Sequence, residues 1–193
     1  SLQKSKMKYL IIGLGNPGAE YVSTRHNIGF NILDEFAESM GGGFTSCRYA
    51  DMTEIKFKGR KLILIKPNTF MNCSGKAVHY WMQKSKVRLE NLLIITDDIS
   101  LPFGILRMRK KGSSGGHNGL RDVNSVLDNN NYSRLRFGIG NNFVKGKQVD
   151  YVLSNFTNEE NLSLTERIDL AVEMIKGFAT IGTDKTMSNF NGK

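Results

Sequence analysis

The sequence predicts an α/β fold: a single domain with a twisted, mixed and partly parallel β-sheet flanked by α-helices. Three observations lead there. Short apolar runs that read as buried strands, Tyr9–Ile12, Asn91–Thr96 and Leu135–Ile139, are separated by segments of helical periodicity. The chain has 193 residues, 39% hydrophobic and 23% charged, enough for one well-buried core and typical of a globular domain. No internal repeat and no low-complexity linker divides it.

The elements follow in order. Tyr9-Leu-Ile-Ile12 ends at Gly13 and reads as a buried strand. Thr24 reads as the N-cap of a helix from about Arg25 to Met40, whose stripe is Leu33, Phe36, Ala37 and Met40. Gly41-Gly-Gly43 stops it. Met52–Phe57 and Lys61–Ile65 form a hairpin turning at Lys58-Gly59-Arg60, and Pro67 ends its second strand. A helix is expected over residues 74–86, and the strand Asn91–Thr96 leads into Asp97-Asp98. Ile105–Arg109 alternates apolar and basic residues, as a half-exposed strand does. The loop Gly112-Ser-Ser-Gly-Gly-His117 enters a helix over about 118–127, and Leu135–Ile139 is a further strand. Thr157-Asn-Glu-Glu160 has the form of a capping box and opens a long helix with a core stripe of Ile168, Ala171, Val172, Ile175 and Phe178.

Two cysteines, Cys47 and Cys73, are too few for a disulfide framework or a structural zinc site of the Cys-x-x-Cys type. No stretch approaches the roughly 18 apolar residues of a spanning helix. The first six residues lack the apolar run of a signal peptide and are expected to be a disordered extension, with the domain over 7–193. A cytoplasmic, reducing compartment fits this composition.

Charge is the strongest compositional signal. Lys and Arg number 27 against 18 Asp and Glu, a net +9 that suggests a polyanionic partner without choosing among RNA, DNA and an anionic membrane. The excess is local. Residues 55–121 hold fourteen basic and three acidic residues, net +11, whereas residues 150–193 are net −3. Between Lys56 and Arg88 no acidic residue occurs. Such asymmetry argues for one positive face.

Gly13-Leu-Gly-Asn-Pro-Gly18 matches G-x-G-x-x-G after a strand, the phosphate-binding fingerprint of dinucleotide enzymes. That fingerprint needs a helix opening inside the glycine loop and a second strand ending in an acid about 20 residues on. Here Asp34 and Glu35 fall at that distance inside a helix, so the glycines read as a tight turn.

Ligands of open α/β sheets bind beyond the carboxyl ends of strands. Asn16, Asn72, Asp97 and Asn118 all fall at such positions, although Asn72 could equally cap a helix. Of the three histidines, His79 lies beside Trp81 and reads as packing, and His117 as ordering the glycine loop. No two of them share metal-ligand spacing on one helix. His26 sits in a first helical turn, where the helix dipole lowers an imidazole pKa and favours the neutral base. A hydrogen-bonded Asp would fix its tautomer, with Asp97 the candidate. A purely structural histidine at a helix end is an equal alternative at this point.

Taken together, six segments resemble one family, the bacterial-type peptidyl-tRNA hydrolases. They are Gly13-Leu-Gly-Asn-Pro-Gly-Ala-Glu-Tyr21, Thr24-Arg-His-Asn-Ile-Gly29, Lys66-Pro-Asn-Thr-Phe-Met-Asn-Cys-Ser-Gly-Lys-Ala-Val78, Asp97-Asp-Ile-Ser-Leu-Pro102, Gly115-Gly-His-Asn-Gly-Leu-Arg-Asp122 and Arg134-Leu-Arg-Phe-Gly-Ile-Gly140. They occur in the family's order and span nearly the whole chain. The resemblance implies hydrolysis of the ester joining a peptide to the 3′-terminal ribose of tRNA, with peptidyl-tRNA as partner. It implies no metal or other cofactor, no membrane, and a monomer. It casts His26 as catalytic base, Asp97 as its orienting acid and Asn16 as the residue placing water and the oxyanion. Tyr21, Phe70, Asn72 and Asn118 would bind substrate, and Arg107, Arg109 and Arg136 the tRNA phosphates. Water is the implied nucleophile. Two departures stand out: Ser100 replaces a second acid common in the family, and Asn141-Asn142 replaces an Arg/His-Pro pair.

Overall fold

The computed structural model describes residues 7–193, so the extension at residues 1–6 lies outside the described residues. Seven strands form one sheet: β1 Lys8–Gly13, β2 Thr45–Cys47, β3 Ala50–Phe57, β4 Arg60–Pro67, β5 Leu92–Asp98, β6 Leu106–Arg109 and β7 Ser133–Gly138. Their order is β2-β3-β4-β1-β5-β7-β6. β4, β1, β5 and β7 run parallel, and antiparallel pairings at β2/β3/β4 and β7/β6 finish both edges. The helices are α1 Ile28–Ser39, α2 Ser74–Ser85, α3 Asn118–Leu127, α4 Gln148–Val152, α5 Asn158–Thr180 and α6 Thr183–Phe190.

The central strands are apolar throughout because both faces are covered. Ile11, Leu93 and Ile95 point to one side and pack with Ile28, Ile32 and Phe36 of α1 and Ala171, Ile175 and Phe178 of α5. Their neighbours Leu10, Ile12, Leu92 and Ile94 point to the other and meet Val78 and Trp81 of α2 and Leu120 and Val123 of α3. Each fully buried Leu, Ile, Val or Phe side chain among them contributes roughly 1.5–3 kcal/mol.

The expected α/β architecture is the one found, with several local corrections. The segment expected as one helix from Arg25 is a 3₁₀ turn, Arg25–Asn27, followed by α1. Thr24 holds the N-cap position of that turn, but its side chain makes no capping bond there; its hydroxyl donates to the Tyr21 carbonyl at 2.9 Å. β5 continues through Asp97 and Asp98, so these acids lie within the strand rather than past it. The long helix does open on a capping box, with Thr157 Oγ1 accepting from Glu160 N and Glu160 Oε1 accepting from Thr157 N. β2, α4 and α6 lacked a sequence signal: each is short, and α4 falls in a segment read as loop.

The first glycine of the G-x-G motif serves packing. A Cβ on Gly29 at the start of α1 would lie 2.7 Å from both N and O of Leu14 and 2.9 Å from Ile95 O, and one on Gly13 would strike Gly29 O. α1 can cross the ends of β1 and β5 this closely only without side chains there. No α-helix opens inside the glycine loop. A 3₁₀ turn, Ala19–Tyr21, follows it, and α1 starts only at Ile28.

Candidate active site

The dinucleotide arrangement is therefore not formed. The loop after β1 instead carries Asn16 to the carboxyl end of the sheet.

His26 and Asp97 meet at that end. The 3₁₀ turn before α1 holds His26 over the end of β5, and His26 Nδ1 lies 2.8 Å from Asp97 Oδ2. The Asp97 side chain is 2% exposed, and its other oxygen, Oδ1, lies 2.9 Å from His117 Nε2. His117 is the N-cap of α3: its Nδ1 accepts from Leu120 N at 3.2 Å. That bond puts the His117 proton on Nε2, which donates to Asp97. The two imidazoles sit with ring centroids 5.0 Å apart.

The electrostatics correct one expectation. Burial pushes the His26 imidazole toward the neutral form, but the charge and hydrogen bond of Asp97 outweigh it, so the pKa stands above the ordinary 6.5 rather than below it. A single 3₁₀ turn supplies little opposing dipole. Burial likewise favours neutral Asp97, but the two imidazoles hold its pKa well below the usual carboxylate range.

His26, Asp97 and His117 also bring their ligand atoms within 4.8 Å of one another, a spacing a metal ion could use. The Leu120 N–H accounts for the cluster differently, because it fixes a proton on the His117 nitrogen that faces Asp97.

Asn16 is positioned by its neighbours. Its N–H donates to Asn27 Oδ1 and its carbonyl accepts from Asn27 Nδ2, both at 2.9 Å. Its side-chain oxygen accepts from Met71 N at 2.7 Å, which leaves the NH₂ as the end able to donate elsewhere. Asn72 is exposed in the 3₁₀ turn Met71–Cys73 and is not the cap of α2, a position that Cys73 occupies. Phe70 beside it is 59% exposed, and Tyr21 is half-buried in its own 3₁₀ turn.

A cleft open to solvent is lined by His26, Asp97, His117, Asn118 and Arg136, with Gln148, Val149 and Val152 of α4 as one wall. Asn16 lines a neighbouring groove with Asn27, Phe30 and Lys66. Arg107 and Arg109 share one face of β6, and Arg107 pairs across the sheet with Arg136 of β7. Arg136 Nε lies 2.6 Å from Asp98 Oδ2, while Ser100 holds Asp98 Oδ1 through its N–H (2.8 Å) and hydroxyl (2.6 Å). The serine at position 100 thus adds a hydroxyl donor, beside its backbone N–H, to the acid that pairs with Arg136.

The fold brings together His26, Asp97, Asn118 and Arg136 in one cleft and places Asn16, Phe70 and Asn72 beside it. His79 is exposed on α2, contrary to the packing role expected of it. Sequence reasoning undervalued His117; its place next to Asn118 after a glycine loop was the available signal. It missed Arg25 altogether. This buried arginine, beside His26, pairs with Glu160 at 3.0 Å, bonds Ser154, and stacks 4.2 Å from the Tyr151 ring centroid. It joins the His26 turn to the segment that carries α4.

Comparison with known proteins identifies the family. The peptidyl-tRNA hydrolase family model matches residues 10–193. The chain belongs to the peptidyl-tRNA hydrolase family. It is 57% identical over 187 residues to the peptidyl-tRNA hydrolase of Cytophaga hutchinsonii and 54% identical over 187 residues to that of Bacteroides fragilis, covering 97% of this chain and all of each relative. The crystal structure of the Acinetobacter baumannii peptidyl-tRNA hydrolase superposes with a TM-score of 0.90 at 32% identity, covering 97% of this chain and 95% of that one. Membership makes this chain one of a family of hydrolases. Among the described residues no helix is long and apolar enough to cross a membrane.

Proposed function

We propose that the protein hydrolyses the ester between a peptide and the 3′-terminal ribose of tRNA, with His26 as general base, and that it does so as a cytoplasmic monomer. One observation carries the assignment of the base. Of the four nitrogens in the two imidazoles, three are committed: His26 Nδ1 and His117 Nε2 to Asp97, and His117 Nδ1 to Leu120 N. Among the described residues, His26 Nε2 is the one left to accept a proton from water.

In this reading, water loses a proton to His26 Nε2 as its oxygen attacks the ester carbonyl. Asp97 stabilises the imidazolium that forms. The Asn16 NH₂ donates to the developing oxyanion. Collapse breaks the bond to the ribose 3′ oxygen, which takes the proton back from His26; the products are a free peptide acid and tRNA. Asn72 and Asn118 hold the peptide main chain and the terminal nucleotide, with Tyr21 and Phe70 as apolar walls. Arg107, Arg109 and Arg136 take phosphates. Recognition through main-chain groups leaves the reaction indifferent to peptide sequence. The proton-sharing account of the His26–Asp97–His117 cluster supports chemistry without a metal.

Release of peptide from an N-blocked aminoacyl-tRNA tests this. His26→Ala should lower the rate at least ~10²-fold. Equal rates would refute the role of His26. Wild-type protein that binds tRNA without releasing peptide would favour an RNA-binding role instead.

A further inference from the structure

We infer that the tip of the β2–β3 hairpin, together with the outer face of α2, forms a second phosphate-binding surface for the RNA of the substrate, separate from the arginines of β6 and β7. The inference rests on the proposed tRNA substrate. Its first support is an unusual turn. Cys47 and Ala50 pair across β2 and β3, so Arg48 and Tyr49 make a two-residue loop. Tyr49 has a φ of 61°, in the left-handed region where such turns favour Gly or Asn. Lys58, Lys86 and Asp128 share that backbone region, and at Tyr49 the packing of the ring against Tyr80 helps to hold it.

The second support is what the ring gathers. Arg48 Cζ and Lys76 Nζ each lie 5.1 Å from the Tyr49 ring centroid, and Arg48 also lies 5.6 Å from that of Tyr80. Tyr49 and Tyr80 pack edge to face at 5.6 Å, and Trp81 Nε1 anchors the Arg48 carbonyl at 3.0 Å. Among the described residues, neither Arg48 nor Lys76 forms an ion pair, and Asp51, the acid nearest in sequence to the turn, accepts from Ser46. Two cations held on one aromatic ring without a carboxylate form a ready site for an anion.

Position selects the occupant. Asn68 N donates to Tyr49 O at 2.9 Å, so the patch abuts the segment bearing Phe70 and Asn72, and Lys76 lies one helical turn beyond Asn72. Lys84 continues the same ridge two turns further along α2. RNA brings a phosphate at every nucleotide, whereas a peptide of arbitrary sequence guarantees no anion. The hairpin lies at the β2 edge of the sheet and Arg107 and Arg109 at the β6 edge, so the two basic surfaces flank the cleft.

Binding of deacylated tRNA across a salt series is the test, since it needs no catalysis and decides the patch even where the hydrolase reading fails. Arg48→Ala with Lys76→Ala should weaken binding on the order of ten-fold at low salt and reduce the slope of log K against log salt by about 2. Tyr49→Gly relieves the strained φ, so the hairpin is retained while the two cations lose their shared support; binding should weaken several-fold with no loss of thermal stability. An unchanged slope in the double variant overturns the proposal. So does a loss that appears only when acidic peptides are presented on a substrate cut down to the terminal nucleotide, which would assign the patch to the peptide.

Discussion

Asp97→Asn offers the most incisive test of the site. The carboxylate accepts from His26 at 2.8 Å and from His117 at 2.9 Å. An amide has one oxygen, so it can accept from only one of them and turns an NH₂ toward the other. Either the His26 tautomer changes, removing the free Nε2 base, or His117 is left facing a donor. The variant also removes the influence that raises the His26 pKa, leaving the burial that lowers it. Two outcomes follow. The rate should fall on the order of 10²–10⁴-fold, equivalent to roughly 3–5 kcal/mol of barrier. The acid limb of the rate profile should lie above pH 6.5 in the wild type and move to lower pH in the variant. Peptide release from N-blocked aminoacyl-tRNA, measured between about pH 5 and 9 under single-turnover conditions, reads both quantities. A variant whose acid limb stays in place, or moves upward, would refute the coupling of Asp97 to a His26 base.

Other perturbations address capture, packing and stability. Arg107→Ala should weaken tRNA binding and lower its salt slope by about 1, while a substrate reduced to the terminal nucleotide is cleaved as before; equal losses on both would place Arg107 at the chemistry. Gly29→Ala sets a Cβ against Leu14 N and O at 2.7 Å and should cost about 1–3 kcal/mol in urea unfolding, with activity falling in parallel. The raised His26 pKa also makes a stability statement. Protonated His26 stabilises the fold fully below its unfolded pKa near 6.5, and the contribution is lost as pH rises through the higher folded value. His26→Ala should therefore destabilise more at about pH 5.5 than at about pH 9 in the same unfolding assay, and an equal cost at both would contradict that sign.

The parallel core was legible because its strands are apolar on both faces and its helices carry clear stripes, as in Ile11 with Leu10 and in Phe36 with Ala37. The capping box at Thr157 was legible because its signal is local. α4 and β2 were not, since five and three residues give no period to detect. The site followed the same division. His26 and Asp97 stand in motifs whose type and order suggested a pair. The pKa direction was hidden, because it depends on the balance of burial against one carboxylate placed by the fold. Arg25 was hidden because its partners, Ser154 and Glu160, are more than a hundred residues away.

In the proposed mechanism the base stands apart from most of the positive charge, and the two arginines nearest to it, Arg25 and Arg136, are each paired with an acid. A general base works best where neighbouring cations do not compete for its proton, and an imidazolium formed in the reaction is destabilised by nearby positive charge. Arg136, the cation that lines the cleft, is paired with Asp98, which Ser100 holds in turn. Arg107 and Arg109 stand on the edge strand, and Arg48 and Lys76 beyond the opposite side of the cleft. On the proposed function, the +9 charge bears on how the tRNA would be held, through contacts that salt weakens. The buried Asp97 between two imidazoles is far less exposed to salt screening.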